Sequence, residues 1–174
     1  MAVLQVGEGE KSKVSFDAGA VRRFAEGAMK IVPLISSGTM GPLGVLHLPR
    51  LWLKVSLEAR GSLAEGYPGA GQGYDQMVID GLGLDRDAVI SFITAERPTY
   101  TEFEKWIVAQ PGAKTDAATI SALNDSISGY IHGDDVRKPI LNAAGLPDDS
   151  SAPKDAINLN NLDDWQEFHA AVLK

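Results

Sequence analysis

Apolar positions along most of this chain recur every three or four residues rather than every second one. That spacing predicts amphipathic helices and leaves strands with little support. Val21, Phe24, Ala25, Ala28, Met29 and Ile31 or Val32 predict a first helix, starting at the good N-cap residue Asp17 and ending or kinking at Pro33. A second helix covers "LPRLWLKVSLEAR", with Pro49 in its first turn and Gly61 just past its end. Residues 74–80 predict a short helix closed by Gly81, and Asp85 caps "DRDAVISFITAE". Thr99 and Glu102 form a capping box that opens "YTEFEKWIVAQ", where Phe103, Trp106 and Ile107 share one face and Gly112 ends the helix. Thr115 or Asp116 starts "AATISALNDSISGYI"; "DDVRKPILNAAG" follows, interrupted by Pro139 and closed by Gly145. A long polar loop, "LPDDSSAPKDAINLNN", then leads to a last helix over 162–173.

The expected fold is therefore all-α: one compact bundle of seven or eight short helices joined by Gly/Pro-rich loops. Residues 1–15 read as a mobile N-terminal arm and 16–174 as a single helical domain, in which 16–36 is an extension helix. The polar loop over 146–161 is the sole candidate boundary, and the tail after it is too short to fold alone.

Composition narrows the function classes. Hydrophobic residues make up 44% and charged residues 22% of the 174, a globular balance. The formal net charge is −7, with Lys and Arg scattered, so the basic footprint of a nucleic-acid binder is missing. There is no cysteine, which excludes disulfides, thiol nucleophiles, iron–sulfur clusters and Cys-based zinc sites. "MAVLQVGEGEKSK" lacks the pattern of a signal peptide. No window reaches the ~20 apolar residues of a membrane span. The expectation is a cytoplasmic protein without nucleic-acid or membrane partners.

One stretch carries an anomaly. His47, Arg50 and Lys54 lie at helical spacing within the otherwise apolar "VLHLPRLWLKVSLEAR". A desolvated cation needs a partner. One reading is a pocket for an anionic small molecule, with Arg50 as a bidentate clamp, Lys54 in support and His47 as the catalytic acid or base. The other is an internal ion-pair network with Asp75, Asp80 or Glu58 as partners. The loop "GYPGAGQGYD" holds four glycines and is either mobile or full of close backbone approaches. It has no strand–loop–helix phosphate motif, and it brings Tyr67, Tyr74 and Asp75 toward the Arg50 helix. His132 beside Asp134 and Asp135 reads as turn chemistry, with Asp134 as a cap, rather than as a metal site. Asp164 and Glu167 read as acids complementing a helix N-terminus. No familiar nucleophile motif is present, and no cofactor or metal is implied.

Three segments in order carry a resemblance: "LPRLWLKVSLEARGSLAEGYP", "GYDQMVIDGLGLDRDAVISFI", and a C-terminal run from "LN" through "AGLP" to "INLNNLDDW". Together they resemble an uncharacterised bacterial family, domain of unknown function 5069, over roughly residues 40–170. The resemblance implies a small soluble helical domain and directs interest to Arg50, Lys54, Tyr74 and Asp75. It implies no reaction.

Two functions follow as expectations. The first is a protein that binds an anionic small molecule through Arg50, Lys54, Tyr67, Tyr74 and Asp75, or a cofactor-free enzyme using His47 for acid–base chemistry at the same place. The alternative is a non-catalytic interaction or homodimerisation module presenting Trp52, Tyr67, Tyr100 and Trp106.

Overall fold

A computed structural model describes residues 29–174 of the chain. The described residues form seven α-helices: α1 (Leu48–Ala59), α2 (Tyr74–Gly81), α3 (Arg86–Glu96), α4 (Tyr100–Ala109), α5 (Ala117–Ser128), α6 (Asp134–Ala143) and α7 (Ala156–Phe168). A π-helical turn, His169–Leu173, continues α7. Extended pairing among the described residues is limited to isolated bridges such as Ile31 with Leu63. The all-helical, single-bundle expectation holds.

The helix starts follow from local capping chemistry. Asp85, Asp116 and Asp155 each accept a hydrogen bond from the backbone N–H three residues on, at 2.8, 3.0 and 2.9 Å. The Thr99–Glu102 capping box is formed in both directions. Gly83, Gly112 and Gly145 lie in the left-handed region just past α2, α4 and α6, where a β-carbon would be strained.

Helix α1 runs through the centre. Its Leu48, Leu51 and Val55 join Val78 and Ile79 of α2, Val89 and Ile93 of α3, Phe103 and Ile107 of α4 and Leu123 and Ile127 of α5 in the main core. A smaller cluster, Leu141, Ala152 and Leu159, is packed where α6 meets α7. Each fully buried aliphatic or aromatic side chain contributes about 1.5–3 kcal/mol. The α1–α5 layer is thus a firm base, with α6 and α7 closing one side.

Two expected boundaries differ. The arm over 1–15 and most of the extension helix over 16–36 lie outside the described residues. The described end of that helix, from residue 29, is not helical. Pro33 has no N–H to give and disfavours helical backbone before it. The chain there pairs with the segment after α1 instead: the Ile31 N–H donates to the Ser62 carbonyl at 2.7 Å, and the Ile31 carbonyl accepts from the Ala64 N–H at 3.0 Å. The last helix begins at Ala156, six residues before the expected Leu162. The asparagines of "AINLNN" disguise a helical face on which Ala156 and Leu159 are fully buried. This shift places Asp164 in the body of α7, on its inner side.

Replacing Asp155 by Ala should lower stability by about 1 kcal/mol, the usual loss on removing an N-cap side chain. Urea unfolding measures it. No change would mean that the segment after residue 155 is a loop rather than the first turns of α7.

Candidate functional site

His47 forms the hinge between the loop before α1 and the helix itself. It is the N-cap of α1, with φ 65°, in the left-handed region. A non-glycine residue there costs on the order of 1 kcal/mol, so surrounding contacts must hold it. Its Nδ1 lies 3.0 Å from Ser37 Oγ and its Nε2 2.8 Å from Asp75 Oδ1. A carboxylate only accepts, so the neutral ring carries its proton on Nε2, and the Ser37 hydroxyl donates to Nδ1. Burial pushes the imidazole below its ordinary value of 6.5, more than the Asp75 carboxylate pulls it back.

Asp75 opens α2 and gathers three donors. Besides His47 it accepts from Lys54 Nζ at 2.5 Å and from the Gly71 N–H at 2.6 Å. Burial alone would raise its carboxyl, but His47 and Lys54 outweigh that and hold it below the ordinary carboxylate range. A Ser–His–Asp chain is present in outline. Ser37 is fully buried, which excludes it as a nucleophile toward anything in solution.

One and two turns into α1, the two cations find separate acids. Arg50 grips Asp164 of α7 with both arms, Nη1–Oδ2 at 2.6 Å and Nη2–Oδ1 at 2.9 Å. Nη1 also donates to the carbonyls of Pro33 and, at 2.9 Å, Ile35. The Tyr67 hydroxyl donates to Asp164 Oδ1 at 3.0 Å. Of the partners expected for these cations, Asp75 is the one found. Glu58 instead accepts from the Gly69 N–H at 3.0 Å, and Asp80 from the Gln76 amide at 2.7 Å.

The stripe His47, Arg50 and Lys54 and its acids Asp75 and Asp164 line a cavity of about 610 Å³. His47, Arg50, Lys54, Tyr67, Tyr74 and Asp75 all lie on its wall, so the structure brings every expected site residue together. The far wall was missed from sequence: Tyr130 and His132 after α5, with Asn160, Asp163 and Asp164 on α7. Asn160, Asp163 and Asp164 are spaced i, i+3, i+4 and share a helix face, a signal hidden by the misplaced start of α7. Asp164 is a buried acid gripped by Arg50, not a solvated acid at a helix N-terminus. Asp134, expected as a cap, is the first residue of α6 and pairs with Lys138 at 2.9 Å. His132 hydrogen-bonds Asn160 at 2.9 Å, tying that wall together.

The glycine-rich loop over 66–73 is fixed by close approaches. A β-carbon on Gly69 would sit 2.1 Å from Glu58 Oε2. Arg86 of α3 donates to Ala70, Gly71 and Gln76. The amides of Gly69 and Gly71 serve the chain's own carboxylates, Glu58 and Asp75, rather than standing free for a phosphate.

The tyrosines are walls more than acids. Burial, with Asp164 alongside, raises the Tyr67 hydroxyl far above its ordinary range. Burial also pushes Tyr74 up to about 12. The Tyr74 hydroxyl donates to the Ile127 carbonyl at 2.8 Å, leaving its ring to face the cavity. Asp163 behaves differently. It is half-buried with no protein hydrogen-bond partner among the described residues, and burial followed by repulsion from Asp164 and Glu167 raises its carboxyl.

No protein-family model, curated protein or solved structure matches this chain.

Trp52, Tyr100 and Trp106 pack on the main core, and Tyr67 is held by Asp164. The exposed tryptophan is Trp165, on α7.

The His47–Asp75 arrangement makes stability depend on pH. His47 is held neutral in the fold, and unfolding restores its ordinary value of 6.5. The unfolded chain then binds the extra proton below that pH, so stability falls as pH drops. Asp75, held below its ordinary 3.8, contributes stability that is lost only at lower pH, as it falls from that value through the native one. Urea midpoints should therefore decline between pH about 7 and about 5, and His47→Gln should flatten that window. Asp163, raised in the fold, opposes this trend, so the comparison is with the variant: a His47→Gln profile that follows the wild type's over that window would show that His47 is not held neutral.

Proposed function

We propose that this chain is a small-molecule-binding protein whose ligand occupies the cavity between α1, α2 and α7. The observation that carries the proposal is the convergence of the expected site residues on one concave wall. A volume of about 610 Å³ falls within the range of ordinary ligand pockets, on the order of 300–1,000 Å³. A cavity lined by buried charges, a strained His47 and a carboxylate with a raised pKa is where function concentrates.

The geometry revises the roles within that reading. Arg50 has its fork filled by Asp164 and further N–H bonds given to backbone carbonyls, so it holds the wall together rather than clamping an anion. His47 has both ring nitrogens engaged and acts as a positioning residue for Asp75. The group free to exchange a proton with a ligand is Asp163. Acid–base chemistry at the site would run through that carboxyl.

The resemblance to domain of unknown function 5069 is part of the same proposal. Arg50, Lys54, Tyr74 and Asp75, the positions it singles out, all line the cavity. So is a cytoplasmic setting. No helix among the described residues is long and apolar enough to cross a membrane.

Amide NMR spectra recorded with a set of small polar compounds test the reading. Shifts from a binder should concentrate over 66–77, 130–132 and 160–164. Binding that instead perturbs the shallow groove beside Leu43 and Val108, or no binding at all, would end it.

A further inference from the structure

The cavity and its aromatic walls define the site; the charges on the wall select what fits. Four carboxylates and two strong cations line it: Asp75, Asp80, Asp163 and Asp164 against Arg50 and Lys54. The cations are spent inside the wall, Arg50 on Asp164 and Lys54 on Asp75, in pairs that are nearly solvent-free. His47 adds no charge, being held neutral by burial. Asp163 and Asp80 remain. Among the described residues neither has a cationic partner. Asp80 is exposed and receives a neutral amide, so Asp163 is the sheltered, uncompensated charge. The rings of Tyr67, Tyr74 and Tyr130 line the same space. Tyrosine faces attract organic cations through their quadrupole.

Resting on the cavity reading above, we propose that the ligand is a small organic ammonium compound, its N–H groups received by Asp163 and its carbon skeleton lying against the tyrosine rings. An anionic ligand would enter a wall whose cations are already neutralised and whose remaining charge is negative. An ammonium ion supplies the paired countercharge that Asp163 lacks among the described residues.

The groups facing Asp163 set the pH response. Asp164 and Glu167 on its own helix raise its carboxyl, Arg50 from α1 opposes them, and Tyr67 and His132 complete the surroundings. An ammonium ion prefers the ionised carboxylate. Its affinity should fall as pH drops from neutral into mild acid, the reverse of what an anionic ligand would show.

Calorimetric titration of the full chain with putrescine, ethanolamine, succinate and inorganic phosphate tests this. The amines should bind, and succinate and phosphate should not. Asp163→Asn should weaken amine binding about tenfold or more, the typical loss of a charged hydrogen bond, and Asp163→Glu should keep most of it. Thermal midpoints of both variants verify that they fold. Succinate or phosphate binding with cavity NMR shifts, and inert amines, would overturn the ammonium assignment while leaving the cavity reading intact. Amine binding that ignores Asp163→Asn would also overturn it. Failure of all four probes would overturn the assignment together with the cavity reading.

Discussion

The two-armed bond between Arg50 and Asp164 is the constraint on which the rest of the site depends. It joins residues 114 positions apart. It draws α7 onto the central helix α1 and fixes the chain over 33–35 through the same guanidinium. It also holds Tyr67 at the cavity edge. Without it, α7 would keep its apolar packing at Ala156, Ile157 and the cluster around Leu159, and the hydrogen bonds of Asn160 to His132 and of the Ala156 N–H to the Tyr130 carbonyl, all nearer its start. The part of the far wall around Asp163 and Asp164 would then lose its link to α1.

A second carboxylate does the same for the other side. Asp75 binds the helix-start imidazole, the Lys54 ammonium and a loop amide, so α1, α2 and the glycine-rich loop meet on one group. Each cation of the α1 stripe thus faces its own acid, and each acid collects a tyrosine hydroxyl, an imidazole or a backbone N–H as well. Buried ion pairs of this kind rarely add net stability over apolar residues of the same shape. Their effect here is positional. They hold polar groups around an open volume that an apolar core would have filled. Natural chains accept such arrangements where function requires them.

Legibility in the sequence followed the physics of each element. Capping residues and helical spacing marked α2 through α6 closely, because those signals are local: Asp85, Thr99 with Glu102, and Asp116 act within one turn. The anomaly in α1 was equally visible, since three basic residues on a buried stripe contradict the pattern around them. What stayed hidden was non-local. Asp164 was legible as an acid near a helix end, but its partner lies over a hundred residues away, and the asparagines before it masked the true start of α7. Asp163 shares a helix face with Asn160 and Asp164, a signal lost with the start of α7; its lack of a partner among the described residues exists only once the fold is made. The pairing of the chain near Pro33 with residues 62–64 was likewise unreadable, because backbone pairing leaves little trace in side-chain type.

The most direct measurement is a double-mutant cycle on Arg50 and Asp164 by urea unfolding, using Arg50→Met, Asp164→Leu and the pair. Each single change strands a buried charge and should cost about 3–5 kcal/mol, while the double variant should recover much of that loss. Singles that cost under about 1 kcal/mol each and simply add would be the behaviour of an exposed, independent pair. That result would contradict the account, because α7 would then be held without the bond on which the cavity is built.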